Sequence, residues 1–154
     1  MASSRDETFE ESGLKLDEFL CFAVYSANHA FNRVYQPLLQ KLDLTYPQFI
    51  AMIVLWTEDN LTVGELGGKL FLQTNTLTPM LKRLEALKYI ERQRDGADER
   101  QVRIKLTTKG RMLQAKASEI ICSVRSATEL KDKRMAQMVR DIRALRRSLA
   151  EHSH

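Results

Sequence analysis

The sequence predicts one mainly α-helical domain that carries a small β-hairpin. Apolar residues recur at spacings of three and four along most of the chain, which is the period of an amphipathic helix. Between residues 89 and 106 the pattern changes to alternation around a glycine-containing turn, which is typical of two paired strands. With 154 residues, of which 44% are hydrophobic, the chain can bury one core, so residues 1–154 are expected to form a single domain.

The first helix is predicted from Leu14 to about Leu42, because apolar side chains at helical spacing line one face of this segment. These residues are Leu16, Phe19, Leu20, Ala23, Ala27, Ala30, Phe31 and Val34. Pro37 should bend the end of this helix. The residue before Pro47 is biased away from helix, so a second helix is predicted to begin at Pro47 and to end near Trp56.

Two short helices are predicted next. The segment Thr62-Val63-Gly64-Glu65 has the form of a capping box and opens a helix that ends near Leu70. The following helix ends near Leu87 and is expected to be capped by one of three polar residues: Thr74, Asn75 or Thr76. Pro79 favours the later caps, because they place proline in the first turn, where its missing amide costs little.

A basic β-hairpin is predicted after these helices. Tyr89–Arg94 and Gln101–Leu106 both alternate in the strand sense, with Asp95-Gly96-Ala97-Asp98 as the turn between them. Thr107 and Thr108 are expected to cap a helix that ends near Val124, and a final helix is predicted over Leu130–Ala150.

The terminal helices carry more apolar surface than the middle of the chain can cover. We therefore expect residues 14–42 and 108–150 to be dimerisation helices that bury this surface against a second subunit, giving a homodimer. The region between them, residues 47–106, contains the two short helices and the hairpin.

Composition and charge exclude several classes of protein. The net charge of +4 favours a polyanionic partner. The longest apolar run, Phe49–Trp56, is far too short to span a membrane, and the N-terminus is acidic rather than signal-like, so a cytoplasmic protein with no membrane partner is expected. Two cysteines about 100 positions apart fit no zinc site, and no glycine-rich phosphate loop is present, so we expect no metal and no cofactor.

Two short helices followed at once by a basic hairpin are typical of a winged helix-turn-helix. In that arrangement the second helix enters the major groove of double-stranded DNA, and the wing reaches an adjacent minor groove. Small polar side chains can approach base edges, Lys82 and Arg83 can bind phosphates, and Arg100, oriented by Asp98, is expected in the minor groove. The residues assigned to DNA binding are Thr74, Asn75, Thr76, Thr78, Pro79, Lys82, Arg83, Asp98 and Arg100. The competing interpretation of the cations is an ordinary solvated face.

Several motifs resemble a known family. The segment LTPMLKRLEALKYIERQRDGADERQVRIKLTTKG, residues 77–110, resembles the DNA-binding core of the MarR family. Three further segments resemble its OhrR-type branch of repressors, which sense organic hydroperoxides: Cys21–Ser26, Tyr35–Leu39 and Leu44–Phe49. The resemblance implies a homodimeric transcriptional repressor, not an enzyme, which releases its operator when an organic hydroperoxide oxidises Cys21. The operator is expected to be an imperfect inverted repeat.

The surroundings of Cys21 decide whether its thiolate is stabilised. Cys21 lies well inside the first predicted helix, where the helix dipole gives little help, so tyrosine hydroxyls are the remaining donors, and Tyr25 at i+4 shares its face. Tyr35 lies fourteen residues further, about 21 Å along one helix, so it can meet Cys21 only across two antiparallel subunits, where Tyr46 could join it. The resemblance agrees, because Tyr35 and Tyr46 match tyrosines that hydrogen-bond the reactive sulfur from the partner chain. The competing interpretation is that each tyrosine is a core or interface residue.

Oxidation of Cys21 would give a sulfenic acid, which a second thiol can trap as a disulfide. Two-cysteine members of the branch carry a resolving cysteine in the region of Cys122, and it bonds across the dimer. The resemblance therefore implies an intersubunit Cys21–Cys122 disulfide. The competing interpretation is that Cys122, among Ile120, Ile121 and Val124, is a buried apolar residue.

Three other classes of function stay open. A MarR-type repressor released by a small aromatic ligand at the dimer interface would still respond to its inducer after Cys21→Ser. A thiol peroxidase could use the same cysteines and tyrosines, although the hairpin would then have no role. A nucleoid-type architectural protein would bind DNA with little sequence preference and no redox dependence. His29, Trp56 and the methionines are interpreted as core or surface residues.

Overall fold

The computed structural model describes residues 15–153, and within that range the chain is mostly helical with one small antiparallel sheet, as predicted. A 3-10 turn, Leu16–Glu18, comes first. The helices are α1 Leu20–Gln40, α2 Tyr46–Thr57, α3 Val63–Leu70, α4 Thr74–Ala86, α5 Thr108–Met112, α6 Gln114–Ala127 and α7 Asp132–Glu151. The strands are β1 Leu61–Thr62, β2 Ile90–Arg94 and β3 Val102–Leu106. Two compact units make up the chain, Met1–Tyr46 and Pro47–His154.

In the first unit, α1 begins at Leu20, whereas the predicted start, Leu14, lies outside the described residues. The backbone of Phe19 is extended, and its N–H closes the preceding turn by donating to the Leu16 carbonyl oxygen (3.1 Å). The bond from the Ala23 N–H to the Phe19 carbonyl oxygen (3.0 Å) then opens α1. The prediction of one continuous helix is therefore wrong at Phe19. The sequence does not reveal this break, because the apolar residues keep their helical spacing through it.

The end of α1 and the start of α2 lie close to their predicted positions. Pro37 lies inside α1, which ends at Gln40. Asp43 then adopts a left-handed backbone (φ 55°), and the Leu44 N–H donates to the Leu39 carbonyl oxygen (3.2 Å). Because α2 begins at Tyr46, the proline at position 47 occupies its first turn, as predicted.

The capping box that opens α3 is confirmed. The Glu65 N–H donates to Thr62 Oγ1 (3.1 Å), and the Thr62 N–H donates to Glu65 Oε2 (2.7 Å). α3 ends at Leu70, and Phe71 takes a left-handed backbone (φ 57°), so only Phe71, Leu72 and Gln73 separate α3 from α4. This is the tight turn of a helix-turn-helix.

The predicted cap of α4 is wrong. The helix begins at Thr74, its N-cap is Gln73, and no side chain caps it. The Gln73 carbonyl oxygen already accepts from the N–H groups of Thr76 (3.1 Å) and Leu77 (3.0 Å), so the helix starts too early for Thr74, Asn75 or Thr76 to be the cap. Pro79 is therefore an interior residue of α4 and not part of its first turn.

The hairpin is confirmed, and a third strand joins it. β2 pairs with β3 from Ile90 opposite Leu106 to Arg94 opposite Val102. β1 pairs with the other edge of β3, giving the order β1-β3-β2. Two residues are too few for an alternating pattern, so the sequence does not reveal β1.

The helix predicted after the hairpin is interrupted once. Thr107 caps α5 by accepting from the Gly110 N–H (2.9 Å), as predicted, and α6 follows after Leu113. Glu129 has a left-handed backbone (φ 56°), so α7 begins at Asp132 and not at Leu130.

The core of the second unit joins α2, α3 and α4 to the sheet. Its largest side chains are less than 2% exposed: Phe49, Met52, Leu55, Leu66, Leu77, Leu81, Leu84, Ile90 and Ile104. Within residues 15–153, no helix combines the length and the apolar character that crossing a membrane requires.

Candidate nucleic-acid interface and thiol site

One face of α4 presents the polar residues that the sequence assigns to DNA. Its opposite face is held in the core by Leu77, Leu81 and Leu84, each at most 1% exposed. The exposed residues are Thr74, Asn75, Thr76, Pro79, Lys82 and Arg83, and Thr78 is half-buried. The Thr78 hydroxyl donates to the Thr74 carbonyl oxygen (2.8 Å), so it offers its lone pairs, and not its proton, to a partner.

The wing ends in a freely projecting arginine. The side chain of Arg100 is 95% exposed. Its backbone N–H donates to Asp98 Oδ1 (3.1 Å), and its Nε lies 3.9 Å from the same oxygen. Asp98 therefore contacts Arg100 as predicted, mainly by fixing its backbone.

Asp95 organises the turn of the wing, which sequence reasoning missed. Its Oδ1 accepts from the N–H groups of Ala97 (2.7 Å) and Asp98 (3.1 Å), and its Oδ2 is bonded to Arg103 Nε. These bonds, that from Ala97 first and then that from Arg103, lower the pKa of the Asp95 carboxyl below its usual range. An Asp followed by Gly in a predicted turn was the available signal, since aspartate often accepts from the next backbone amides.

α4 and the wing face one open cleft of about 630 Å³. Thr74 and Thr78 of α4, Arg100 of the wing and Arg92 of β2 are among its lining residues. Arg92 was not assigned to the interface from the sequence, and it pairs with Glu85 of α4 (2.8 Å). The predicted residues at the start of α4 and the tip of the wing are therefore presented together.

The thiol site is built differently from the prediction. Cys21 is exposed and is the second residue of α1, so it lies in the first turn and not in the middle of the helix. A helix N-terminus favours a nearby negative charge, and α1 has no acidic residue in its first turn. The premise that Cys21 lies well inside a helix is therefore wrong.

Tyr25 lies one turn beyond Cys21 on α1 and is 61% exposed. Its ring packs edge-on against His29 (4.4 Å between centroids) and stacks near Phe22 (6.2 Å). His29 is a surface residue, within the alternatives that the sequence left for it.

Tyr35 and Tyr46 are brought together. Their ring centroids are 4.6 Å apart, and both residues are half-buried. Burial raises the pKa of both hydroxyls, and the neighbouring Tyr46 raises that of Tyr35 further. Cys21 and Tyr35 both lie in α1, which keeps them about 21 Å apart within one chain.

Cys122 lies in α6 and is exposed, as is Ile121, whereas Ile120 and Val124 are buried. The interpretation of Cys122 as a buried apolar residue is therefore wrong for the single chain. Both cysteines are free thiols, one in each unit. Across residues 15–153, His, Cys, Asp and Glu side chains form no group of three or more placed to hold a metal ion.

A tight helix-turn-helix followed by a wing defines a winged-helix transcriptional regulator. The family model described as "Transcriptional regulator SarA/Rot" matches residues 33–117, and the chain belongs to this SarA/Rot and MarR-type family of regulators, which are not enzymes.

Individual relatives sharpen this assignment. The organic hydroperoxide resistance transcriptional regulator of Bacillus subtilis (strain 168) is 46% identical over 107 residues, 70% of this chain and 73% of the relative. The regulator TtmR of Methylorubrum extorquens (strain PA1) is 53% identical over 114 residues, 74% of this chain but only 58% of TtmR. The resemblance to OhrR-type regulators is thereby confirmed.

Among solved structures, AbfR of Staphylococcus epidermidis is similar to this chain. Its reduced form bound to DNA is 31% identical, covers 88% of this chain and 92% of AbfR, and gives a TM-score of 0.75. A disulfide form of AbfR gives a TM-score of 0.63 at 32% identity, over 82% of this chain and 88% of AbfR.

Proposed function

We propose that the chain is a redox-sensing repressor that binds operator DNA as a homodimer while Cys21 is reduced, and releases it when an organic hydroperoxide oxidises Cys21. The observation that carries the proposal is an exposed thiol in the first turn of α1, in a chain 46% identical to an organic hydroperoxide resistance regulator. The thiolate is the reactive form of cysteine, and an exposed side chain is open to attack on a peroxide. Such a repressor acts in the cytoplasm, where thiols are kept reduced until an oxidant arrives.

The partner is double-stranded DNA. α4 enters the major groove with its polar face, and Arg100 enters the adjacent minor groove. A twofold dimer reads an inverted repeat with half-sites about 34–36 Å apart. The similarity to reduced AbfR bound to DNA supports this partner.

The homodimer is supported by apolar side chains that the single chain leaves exposed. They lie at helical spacing on the first helical segment (Leu16, Leu20, Val24, Phe31, Val34), on α6 (Ile121) and on α7 (Met138, Val139, Ile142, Leu149). Rows of exposed apolar side chains along one helix are typical of a helix that packs against another protein surface. We assign dimerisation to residues 14–42 and 108–150, and DNA binding to residues 47–106.

The sensing reaction has two steps. The Cys21 thiolate attacks the peroxide and takes one oxygen, which gives a sulfenic acid and an alkoxide that picks up a proton as alcohol. The thiol of Cys122 from the other subunit then attacks the sulfenic sulfur, which gives a disulfide and water. Both cysteines are exposed, as this sequence of steps requires.

The tyrosines supply hydrogen-bond donors to the thiolate. Because their pKa values are raised, Tyr35 and Tyr46 stay protonated at neutral pH and can donate their O–H groups. Since α1 separates Tyr35 from Cys21 of its own chain, we place this pair against Cys21 of the partner subunit. Tyr25 is the donor on the same helix as Cys21.

A DNA-shift assay tests the proposal on a duplex that the reduced wild-type protein selects from a randomised pool. Wild type, Cys21→Ser and Cys122→Ser are compared before and after cumene hydroperoxide, with a non-reducing gel alongside. Wild type should release the duplex and form a crosslinked dimer, Cys122→Ser should form no crosslink, and Cys21→Ser should stay bound. Release by Cys21→Ser would overturn redox sensing, and identical gels for wild type and Cys122→Ser would remove the disulfide.

A further inference from the structure

Arg103 differs from the exposed cations of the wing because its guanidinium is directed at two protein acceptors. Its Nε is bonded to the Asp95 carboxylate, and its Nη1 donates to the Asn60 carbonyl oxygen (2.8 Å). Only 34% of the Arg103 side chain is exposed, against 95% for Arg100. Two nitrogens of this guanidinium therefore donate to protein acceptors, in charge-assisted hydrogen bonds.

Asp95 links Arg103 to the tip of the wing by hydrogen bonds. Its side chain is 9% exposed, and a carboxylate buried to that extent needs charged or polar donors, which Arg103 and two backbone N–H groups provide. The two amides are those of Ala97 and Asp98. Asp98 in turn accepts the N–H of Arg100, so the bonds run without a break from Arg103 to the residue placed in the minor groove.

The other end of this chain of bonds is anchored in the turn between α2 and β1. Asn60 has a left-handed backbone (φ 60°), and its N–H donates to Asp59 Oδ1 (2.7 Å). The same oxygen accepts from the Leu106 N–H (2.9 Å) at the far end of β3. β3 is thus tied to this turn at both ends.

We propose that Asp95 and Arg103 form a positioning pair that strengthens DNA binding without touching DNA, by holding the tip of the wing so that Arg100 reaches the minor groove. This inference rests on the proposed DNA-binding function. It assigns Arg103 a role different from that of a phosphate-binding cation.

Removing the charge of Asp95 distinguishes a positioning role of Arg103 from a phosphate-binding role. Asp95→Asn takes a negative charge away from a protein that binds a polyanion, so electrostatics alone would tighten binding, and more so if the freed Arg103 could reach a phosphate. The positioning pair predicts the opposite, a loss of about tenfold, which is the size of one lost arginine contact to DNA. Glu99→Gln is the matched control, because Glu99 is an exposed carboxylate in the same loop.

Two further experiments keep the test independent of folding. Arg103→Lys retains a cation but cannot span both acceptors, so it should weaken binding, whereas a simple phosphate contact would largely survive the change. In a double-mutant cycle, Arg103→Ala should cost much less affinity in an Arg100→Ala background than in wild type, because it acts through Arg100. Binding is measured below the melting transition of every variant.

The duplex selected from a randomised pool serves as the probe, with affinity read by fluorescence anisotropy. If the wild type selects no duplex, the proposed function fails. If the wild type binds while Asp95→Asn binds as tightly as Glu99→Gln or more tightly, the positioning pair is overturned. Additive effects of Arg103→Ala and Arg100→Ala would likewise overturn it.

Discussion

Arg100→Ala is expected to weaken DNA binding while leaving the fold intact. The side chain of Arg100 is 95% exposed, and its contact with Asp98, itself 48% exposed, spans 3.9 Å. An ion pair exposed to this degree contributes at most about 1 kcal/mol, so the free energy of unfolding should change by less than that. Thermal unfolding followed by circular dichroism measures this change.

Arg100→Ala should reduce the free energy of DNA binding by more than it reduces the free energy of unfolding. Removing one arginine that reaches the DNA costs about 1–3 kcal/mol, which is roughly 5- to 150-fold. Removing its positive charge from the interface lowers the magnitude of the slope of log K against log salt by up to about 0.9. Anisotropy titrations of the selected duplex at several salt concentrations give both quantities. Lys116→Ala, an exposed cation in α6 away from the cleft, is the matched control and should leave both unchanged.

Two results would refute the reasoning on Arg100. An unchanged affinity and slope would mean that the wing tip does not reach DNA. A melting temperature that falls in step with the affinity would mean that Arg100 stabilises the fold and that its effect on DNA is indirect.

Three predictions concern stability. Gly110→Ala should destabilise the chain by more than about 2 kcal/mol in urea unfolding, because an added Cβ would lie 2.0 Å from a backbone carbonyl oxygen, while Gly96→Ala, which meets nothing within 4 Å, should not. Thr62→Ala should cost about 1 kcal/mol by removing the cap of α3, and Thr62→Ser should retain most of it. Acid should destabilise the fold below about pH 4, because the lowered pKa values of Glu65 and Asp95 give stability that is lost as these groups protonate.

Each of these predictions has a contradicting outcome. A Gly110→Ala variant as stable as Gly96→Ala would mean that the close approach of backbone at Gly110 relaxes freely. Equal stabilities of Thr62→Ala and Thr62→Ser would remove the cap as a source of stability. For the acid prediction, an Asp95→Asn, Glu65→Gln variant should show a shallower loss of stability with falling pH, and an unchanged pH profile would contradict it.

Local sequence signals predicted the elements whose causes are local. The capping box at Thr62, the proline in the first turn of α2 and the turn between β2 and β3 each rest on a few adjacent residues, and each is found. The start of α1 was not predictable in this way. No proline, glycine or capping side chain marks the extended backbone of Phe19, and the apolar period runs through it.

Contacts between distant segments explain the rest of the differences. β1 exists because Leu61 and Thr62 pair with β3, about 40 residues further along the chain, which no local pattern reports. From the sequence, Arg103 is one of several cations in the basic hairpin, and its contacts with the Asp95 carboxylate and the Asn60 carbonyl oxygen distinguish it from them. The candidate residues on α4 and at the tip of the wing could be named from the sequence, whereas among the side chains that hold them in place only Asp95 had a local signal, the Asp-Gly turn.

The central claim is that oxidation of Cys21 itself releases DNA. The most direct measurement titrates cumene hydroperoxide into the complex of reduced protein and selected duplex, following anisotropy and, by mass spectrometry, the oxidation of Cys21 in the same samples. The account predicts that DNA release and Cys21 oxidation follow one curve, that dithiothreitol reverses both, and that Cys21→Ser stays bound throughout. Release of the duplex while Cys21 remains a thiol would contradict it.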